Sequence, residues 1–106
     1  MKPLDVQELA QMLATQTQQL TILDVREPWE VALVSLPDSV FIPMNEIPAR
    51  VQELSPDHPI VCLCHHGMRS MQVAVFLNRF GLDDVYNLTG GIDAWARQID
   101  PACATY

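Results

Sequence analysis

Cys64 stands where an apolar run, 59–63, gives way to a segment with helical character, 70–80. If the run is a strand and the segment a helix, the loop between them aims backbone N–H groups at one point, with the positive end of the helix dipole behind them. Such a point binds an anion. The position of Cys64 therefore predicts a nucleophilic thiolate with a lowered pKa and access to solvent.

The rest of this loop also suits an anion. Arg69 offers a planar cation that matches oxyanions, and Gly67 permits backbone angles that a Cβ would forbid. The two histidines can flank the pocket and bind anions weakly when protonated. We therefore predict that Cys64 is catalytic and that the substrate is bound by the rest of the loop: His65, His66, Gly67, Met68, Arg69 and Ser70.

The segments around the loop alternate in type, which predicts an α/β fold with a parallel sheet covered by helices on both faces. Helices are predicted over 4–14, 45–54, 70–80 and 92–98, strands over 20–25, 40–43, 60–63 and 84–88, and a polar connector over 15–19. In such sheets ligands bind at the carboxyl ends of the strands. The loop after strand 60–63 lies at that edge.

Asp24 and Arg26 fall at the carboxyl end of strand 20–25. We assign them a supporting role, as a charge-paired brace at the strand end. Glu27 and Glu30 are both candidate partners of Arg26, and the sequence does not choose between them.

Composition predicts one domain over residues 1–106. No apolar run approaches the roughly 20 residues that span a bilayer, and the first residues lack a secretory signal. We expect a soluble, cytoplasmic protein with reduced cysteines and no membrane partner. The chain has 13 acidic and six basic residues, for a net charge of −7, which argues against nucleic acid as a partner.

Four motifs, in order along nearly the whole chain, resemble the single-domain rhodaneses, a family of sulfurtransferases. They are Asp24-Val25-Arg26-Glu27-Pro28, the strand end Ile42-Pro43, the loop Cys64-x-x-Gly67-x-Arg69-Ser70, and Gly90-Gly91-Ile92-Asp93-Ala94-Trp95. The match departs at 34–39, which reads Val-Ser-Leu-Pro-Asp-Ser where the family often has Gly-His-Ile-Pro-Gly-Ala. The final segment, 99–106, resembles the tail of rhodanese domains fused to sulfurylases that act on small carrier proteins.

The resemblance implies a rhodanese-like α/β domain with a central parallel sheet of about five short strands. It implies that Cys64 takes sulfane sulfur from thiosulfate or a persulfide donor, becomes a persulfide, and passes the sulfur to cyanide, a thiol or an acceptor protein. The expected partners are a small sulfur donor, a thiol acceptor and a sulfur-carrier protein, with no cofactor. The oligomeric state stays open.

The other cysteines receive lesser roles. Cys62 lies inside the apolar run and is predicted to belong to the core. Cys103 is assigned as an incidental tail residue, with attack on a Cys64 persulfide as the alternative. Zinc is not expected, because His65 and His66 lack the second pair of ligands that a structural site needs.

Two other functions compete. A cysteine phosphatase would use a similar thiolate and arginine, but its loop has five residues between Cys and Arg, and this chain has four. The shorter loop suits a single sulfur atom better than phosphate. The second alternative is a rhodanese fold used for protein binding or sensing, and the presence of Cys64 argues against it.

Overall fold

The computed structural model describes residues 1–15 and 19–106, and its centre is a five-stranded parallel sheet. In chain order the strands and helices are β1 (Lys2–Leu4), α1 (Val6–Thr15), β2 (Thr21–Asp24), α2 (Pro28–Leu33), β3 (Val40–Phe41), α3 (Ile47–Arg50), β4 (Ile60–Leu63), α4 (Met68–Phe80), β5 (Val85–Leu88) and α5 (Gly91–Gln98). The strands lie in the order β1-β5-β4-β2-β3, and every neighbouring pair is parallel. The predicted α/β architecture is confirmed.

The middle strand, β4, is buried along its whole length. A strand covered on both faces needs apolar residues at every position, which is why 60–63 is a continuous apolar run. Its register places Leu63 beside Asp24 of β2, and Cys62 beside Asn87 of β5. The carboxyl ends of these three strands therefore meet at the edge of the sheet where Cys64 follows β4.

Helices cover both faces of the sheet, and each face has its own apolar core. On one face α4 packs through Leu77 into a cluster that includes Cys62 of β4. On the other face Leu9 of α1 and Ile92 of α5 pack into a cluster with Val61 of β4. The alternation of Val61 and Cys62 between the two clusters results from the two-residue period of a strand.

The predicted helix over 45–54 is wrong in detail. The structure has a 3₁₀ turn over Met44–Glu46, the short helix α3, and a second 3₁₀ turn over Val51–Glu53. Pro48 explains the first break, because it has no N–H to donate to the carbonyl of Met44 one turn earlier. A regular helix through this segment would leave that carbonyl without its partner.

Two elements were not predicted. Strand β1 has only three residues and forms the edge of the sheet beside β5, and α2 has only six. Both are too short to show a hydrophobic period. Helix α4 begins at Met68, two residues earlier than predicted, and residues 16–18 of the predicted connector lie outside the described residues. Within the described residues, no helix has the length and apolar character to cross a membrane.

Candidate active site

The loop after β4 turns at Gly67, which immediately precedes α4. Gly67 has a φ of +104°, a left-handed conformation that favours glycine, and a Cβ there would stand 3.2 Å from the carbonyl oxygen of Leu88. The sequence predicted this freedom at Gly67. Because Gly67 adopts this conformation, the N–H groups at the start of α4 point back toward Cys64.

Gly67 and Ser70 bring three hydrogen-bond donors to the sulfur of Cys64. The backbone N–H of Gly67 lies 3.1 Å from Sγ, that of Ser70 lies 3.4 Å away, and the Ser70 hydroxyl oxygen lies 3.3 Å away. The predicted exposure of Cys64 is wrong, because the residue is only 1% exposed. Asn87 of β5 and the first residues of α5 pack against the loop, and the sequence did not reveal this packing.

The pKa of the Cys64 thiol is lowered, as predicted. Burial by itself raises this pKa, but the hydrogen bonds from the hydroxyl and N–H of Ser70 and from the N–H groups of Gly67 and His66 outweigh it. Cys62 shows the opposite result. Burial, with a smaller effect from the charge of Cys64, raises the pKa of Cys62 to about 12, so this thiol is inert core material as predicted.

The first residues of α5 hydrogen-bond to the backbone of the Cys64 loop. The N–H of Ile92 donates to the carbonyl of Cys64 at 2.9 Å, and the N–H of Asp93 donates to that of His65 at 3.1 Å. Gly91 has a φ of +60°, and a Cβ on it would lie 2.5 Å from the Cys64 carbonyl oxygen. Gly91, the second glycine of the Gly90-Gly91 motif, therefore lets α5 pack closely against the loop.

Asn87 is a site residue that sequence reasoning missed. Its side-chain N–H donates to the carbonyl of Gly67 at 3.1 Å, and its Oδ1 accepts from the Ser70 hydroxyl at 2.5 Å. Asn87 is 5% exposed. The available signal was a polar side chain within the otherwise apolar strand 85–88.

Arg69 does not extend freely into solvent. Its two terminal nitrogens donate to the two carboxylate oxygens of Glu30 at 2.6 and 2.8 Å, which ties α4 to α2. The hydrogen bonds from Arg69 hold the pKa of Glu30 down at about 2, against the opposing effect of burial. The charge of Arg69 at the site is therefore shared with a buried carboxylate.

Asp24 and Arg26 form the predicted brace, but with each other. Arg26 donates to both carboxylate oxygens of Asp24 at 2.7 to 3.2 Å, and both residues are buried. The expectation that Arg26 pairs with the carboxylate of Glu27 or Glu30 is wrong, because Asp24 at the strand end is already within reach. Arg26 also donates to the backbone carbonyl of Val34 at 2.6 Å.

Tyr106 joins these charged groups. Its hydroxyl donates to Glu30 at 2.7 Å and accepts from Arg26 at 3.0 Å. Its ring stacks on His65 at 4.0 Å between centroids, and His65 stacks in turn on His66 at 4.0 Å. The predicted flanking position of the histidines thus depends on a tail residue that no local pattern singled out.

His65, His66 and Asp93 bring potential metal-ligating atoms within 4.8 Å of one another. The two histidine rings stack on each other, and Asp93 already pairs with Arg97 at 3.0 Å. All three side chains are therefore engaged in other contacts, and we assign no metal to them. Met68, the remaining residue of the predicted site, is 67% exposed and lies on the surface beside the loop.

An open cleft of about 670 Å³ adjoins the site. It is lined by Arg69 and by the segments that follow β2 and β3, residues 25–28 and 43–46. A second cleft of about 770 Å³ lies between α1, α5 and the segment after α2, and no residue of the Cys64 loop lines it. Of these two clefts, only the first reaches the Cys64 loop, through Arg69.

Residues 5–98 match the model of the rhodanese-like domain. The chain is 40% identical over 101 residues to a sulfurtransferase of Allochromatium vinosum, across 95% of this chain and 94% of that protein. It is 34% identical over 85 residues to the thiosulfate sulfurtransferase GlpE of Pseudomonas syringae, across 80% of each. A crystal structure of a rhodanese-like domain protein from Staphylococcus aureus has a TM-score of 0.85 and 29% identity, covering 100% of this chain and 99% of that one. The residues matched by the family model include Glu30, the Cys64 loop and Asn87, and stop short of Tyr106.

Proposed function

The chain belongs to the rhodanese-like domain family and is a rhodanese-type sulfurtransferase, and we propose that it transfers sulfane sulfur by double displacement through a Cys64 persulfide. The unit that performs this chemistry is residues 1–106 acting as one domain. Cys64 is the nucleophile, and the rest of the loop, His65 to Ser70, binds the reacting sulfur and the donor.

In the first step the Cys64 thiolate attacks the outer sulfur of thiosulfate or of a persulfide donor. A new S–S bond forms as the donor's S–S bond breaks, and sulfite or the donor's thiolate leaves with the electron pair. In the second step cyanide, a thiol or an acceptor protein attacks the outer sulfur of the Cys64 persulfide. Cys64 leaves as a thiolate, and the enzyme returns to its starting state.

The observation that carries this proposal is the set of donors around Cys64 Sγ. The N–H groups of Gly67 and Ser70 and the Ser70 hydroxyl lie within 3.4 Å of the sulfur and lower the pKa of the thiol. They stabilise the thiolate that must attack. The N–H groups of the same turn also stabilise the charge on the terminal sulfur of the persulfide.

Arg69 is the proposed contact for the oxyanion of thiosulfate, at the wall of the open cleft. Its pairing with Glu30 weakens this contact, because a buried carboxylate close to the cation also repels the incoming dianion. We therefore expect poor affinity for thiosulfate. A persulfide carried by another protein or a small thiol, which brings less charge, is the better working donor.

The proposed acceptor in the cell is a thiol or a sulfur-carrier protein. Exposed Met68 and Met71 lie on the surface beside the loop and supply apolar contact area for such a partner. A reducing compartment such as the cytoplasm suits this chemistry, because the free cysteines must stay reduced between turnovers.

Thiocyanate formation from thiosulfate and cyanide tests the assignment of Cys64. We expect Cys64→Ser to abolish turnover. Cys62→Ala and Cys103→Ser are the matched controls, and both should keep turnover within a few fold of the wild type. Turnover by Cys64→Ser would reject the assignment, and loss of turnover in Cys103→Ser with persulfide still formed would make the tail cysteine a relay.

A further inference from the structure

The orientation of the Asn87 side chain is fixed by its neighbours. The carbonyl of Gly67 can only accept a hydrogen bond, so the Asn87 amide nitrogen must face it, at 3.1 Å. The amide oxygen, Oδ1, then necessarily faces Ser70. At 2.5 Å from the Ser70 Oγ, Oδ1 can be satisfied only if the hydroxyl donates to it.

The Ser70 hydroxyl therefore has two acceptors and one proton. The second acceptor is the sulfur of Cys64, 3.3 Å from the same oxygen. Ser70 is fully buried, and Asn87 nearly so. Among the described residues Ser70 is the only donor to Oδ1, so the two acceptors compete for the hydroxyl proton.

We propose that Asn87 is a positioning residue that sets the Ser70 hydroxyl according to the charge on Cys64. When Cys64 is a thiol, its S–H donates to Ser70 Oγ, and the hydroxyl proton goes to Asn87. When Cys64 is a thiolate, the hydroxyl turns to the sulfur, and Oδ1 loses its donor. When Cys64 carries a persulfide, the negative charge lies on the outer sulfur, and the hydroxyl proton returns to Asn87.

This competition works in favour of sulfur transfer. Leaving Oδ1 buried without a donor makes the thiolate less stable relative to both the thiol and the persulfide. A less stabilised thiolate is a stronger nucleophile, and the persulfide product regains a complete hydrogen-bond network. Asn87 thus opposes the lowering of the Cys64 pKa and keeps the attacking sulfur more nucleophilic.

The test is the pH midpoint for alkylation of Cys64 by iodoacetamide in the complete chain, measured on the Cys64 peptide by mass spectrometry. The proposal rests on Cys64 being the reactive thiol, but alkylation needs no sulfur donor. If the alkylation midpoint does not change as expected while the wild type still forms thiocyanate, the role of Asn87 is rejected and the proposed sulfur transfer is not. Asn78→Leu is the matched control, because Asn78 donates to a backbone carbonyl at the far end of α4.

We expect Asn87→Leu to lower the midpoint by about half to one pH unit, the effect of one hydrogen bond. Ser70→Ala should raise the midpoint, and adding Asn87→Leu to Ser70→Ala should change nothing further. A merely structural Asn87 predicts the opposite sign, because loosening Gly67 removes donors from the sulfur. A raised or unchanged midpoint in Asn87→Leu would overturn the proposal.

Asn87→Asp gives an independent reading if the leucine variant does not fold. The carboxylate, like leucine, no longer donates to the Gly67 carbonyl. It accepts from Ser70 more strongly than the amide does, so the midpoint should rise, and the rise should be clearly smaller when Ser70→Ala is also present. An equal rise in both backgrounds would show a direct charge effect on Cys64 and would contradict the role assigned to the hydroxyl.

Discussion

Cys62 and Cys64 are two residues apart and almost equally buried, yet their thiols differ in chemistry. Burial alone raises the pKa of a thiol, as it does for Cys62. The pKa of Cys64 is lowered instead, because N–H groups of the loop and the Ser70 hydroxyl replace the hydrogen bonds of the lost water. At the residue scale, reactivity is therefore a property of the donors around the sulfur.

Arg69 is the residue whose part in donor binding is most directly measurable. We predict that the Michaelis constant for thiosulfate rises from wild type to Arg69→Lys to Arg69→Ala, by about tenfold in the last. Lysine keeps the charge but not the fork, and alanine also leaves the Glu30 carboxylate without its arginine partner beside the dianion. A preformed persulfide should still pass its sulfur to a small thiol in all three proteins. Arg79→Ala, at the other end of α4, is the control.

Equal Michaelis constants for the wild type and Arg69→Ala would remove Arg69 from the donor site. In that case its contact with Glu30 would be structural only. Steady-state kinetics with varied thiosulfate at fixed cyanide distinguishes the two results.

At the scale of elements, Glu30 joins α2 to the first turn of α4 through Arg69. The pKa of Glu30 is about 2 in the folded chain against a usual 4.5, chiefly because of the bonds from Arg69. A lowered folded pKa contributes stability that is present above 4.5 and disappears as the pH falls toward 2.

We predict that the wild type loses about 2 to 3 kcal/mol more unfolding free energy than Glu30→Gln as the pH falls from about 5 to about 2. The glutamine variant has no proton to bind at this position, so the two stability curves should converge in acid. Urea unfolding at a series of pH values measures both curves. Parallel curves would mean that Glu30 is not the titrating contact.

Helix α5 supports the catalytic loop through its first residues, and Gly91 makes the close approach possible. We predict that Gly91→Ala lowers kcat roughly tenfold or more, because its Cβ displaces the carbonyls of Cys64 and His65. Gly81→Ala is the matched control: Gly81 has a φ of +120°, but a Cβ there meets nothing within 4 Å. It should lower the stability by about 1 to 2 kcal/mol and leave kcat unchanged.

Comparable losses of kcat in both glycine variants would show that general destabilisation, and not displacement of the loop, explains the effect. Thermal unfolding of each variant, measured beside its kinetics, separates the two causes.

At the scale of the whole molecule, the sequence predicted the features that local patterns determine. Apolar runs and one glycine were enough to predict three of them: the buried strand 60–63, the turn at Gly67 and the helix after it. They placed Cys64 at the carboxyl edge of a parallel sheet. The family motifs then supplied the number of strands.

Contacts between residues far apart in the chain could not be predicted from the sequence. Glu30 and Arg69 are 39 residues apart, and Tyr106 and Glu30 are 76 apart. Many acidic residues could in principle pair with Arg69, and only the packing of α2 against the loop selects Glu30. Asn87 is a similar case, because a strand pattern shows that a polar residue is buried but not which hydroxyl it meets.

The central claim is that Cys64 carries the transferred sulfur, and the intact mass of the protein tests it most directly. Treatment with excess thiosulfate should add the mass of one sulfur atom, and cyanide should then remove it. Cys64→Ser should show neither change, whereas Cys103→Ser should show both. An unmodified wild-type mass under excess thiosulfate and under a persulfide donor, or one sulfur added equally to Cys64→Ser, would contradict the account.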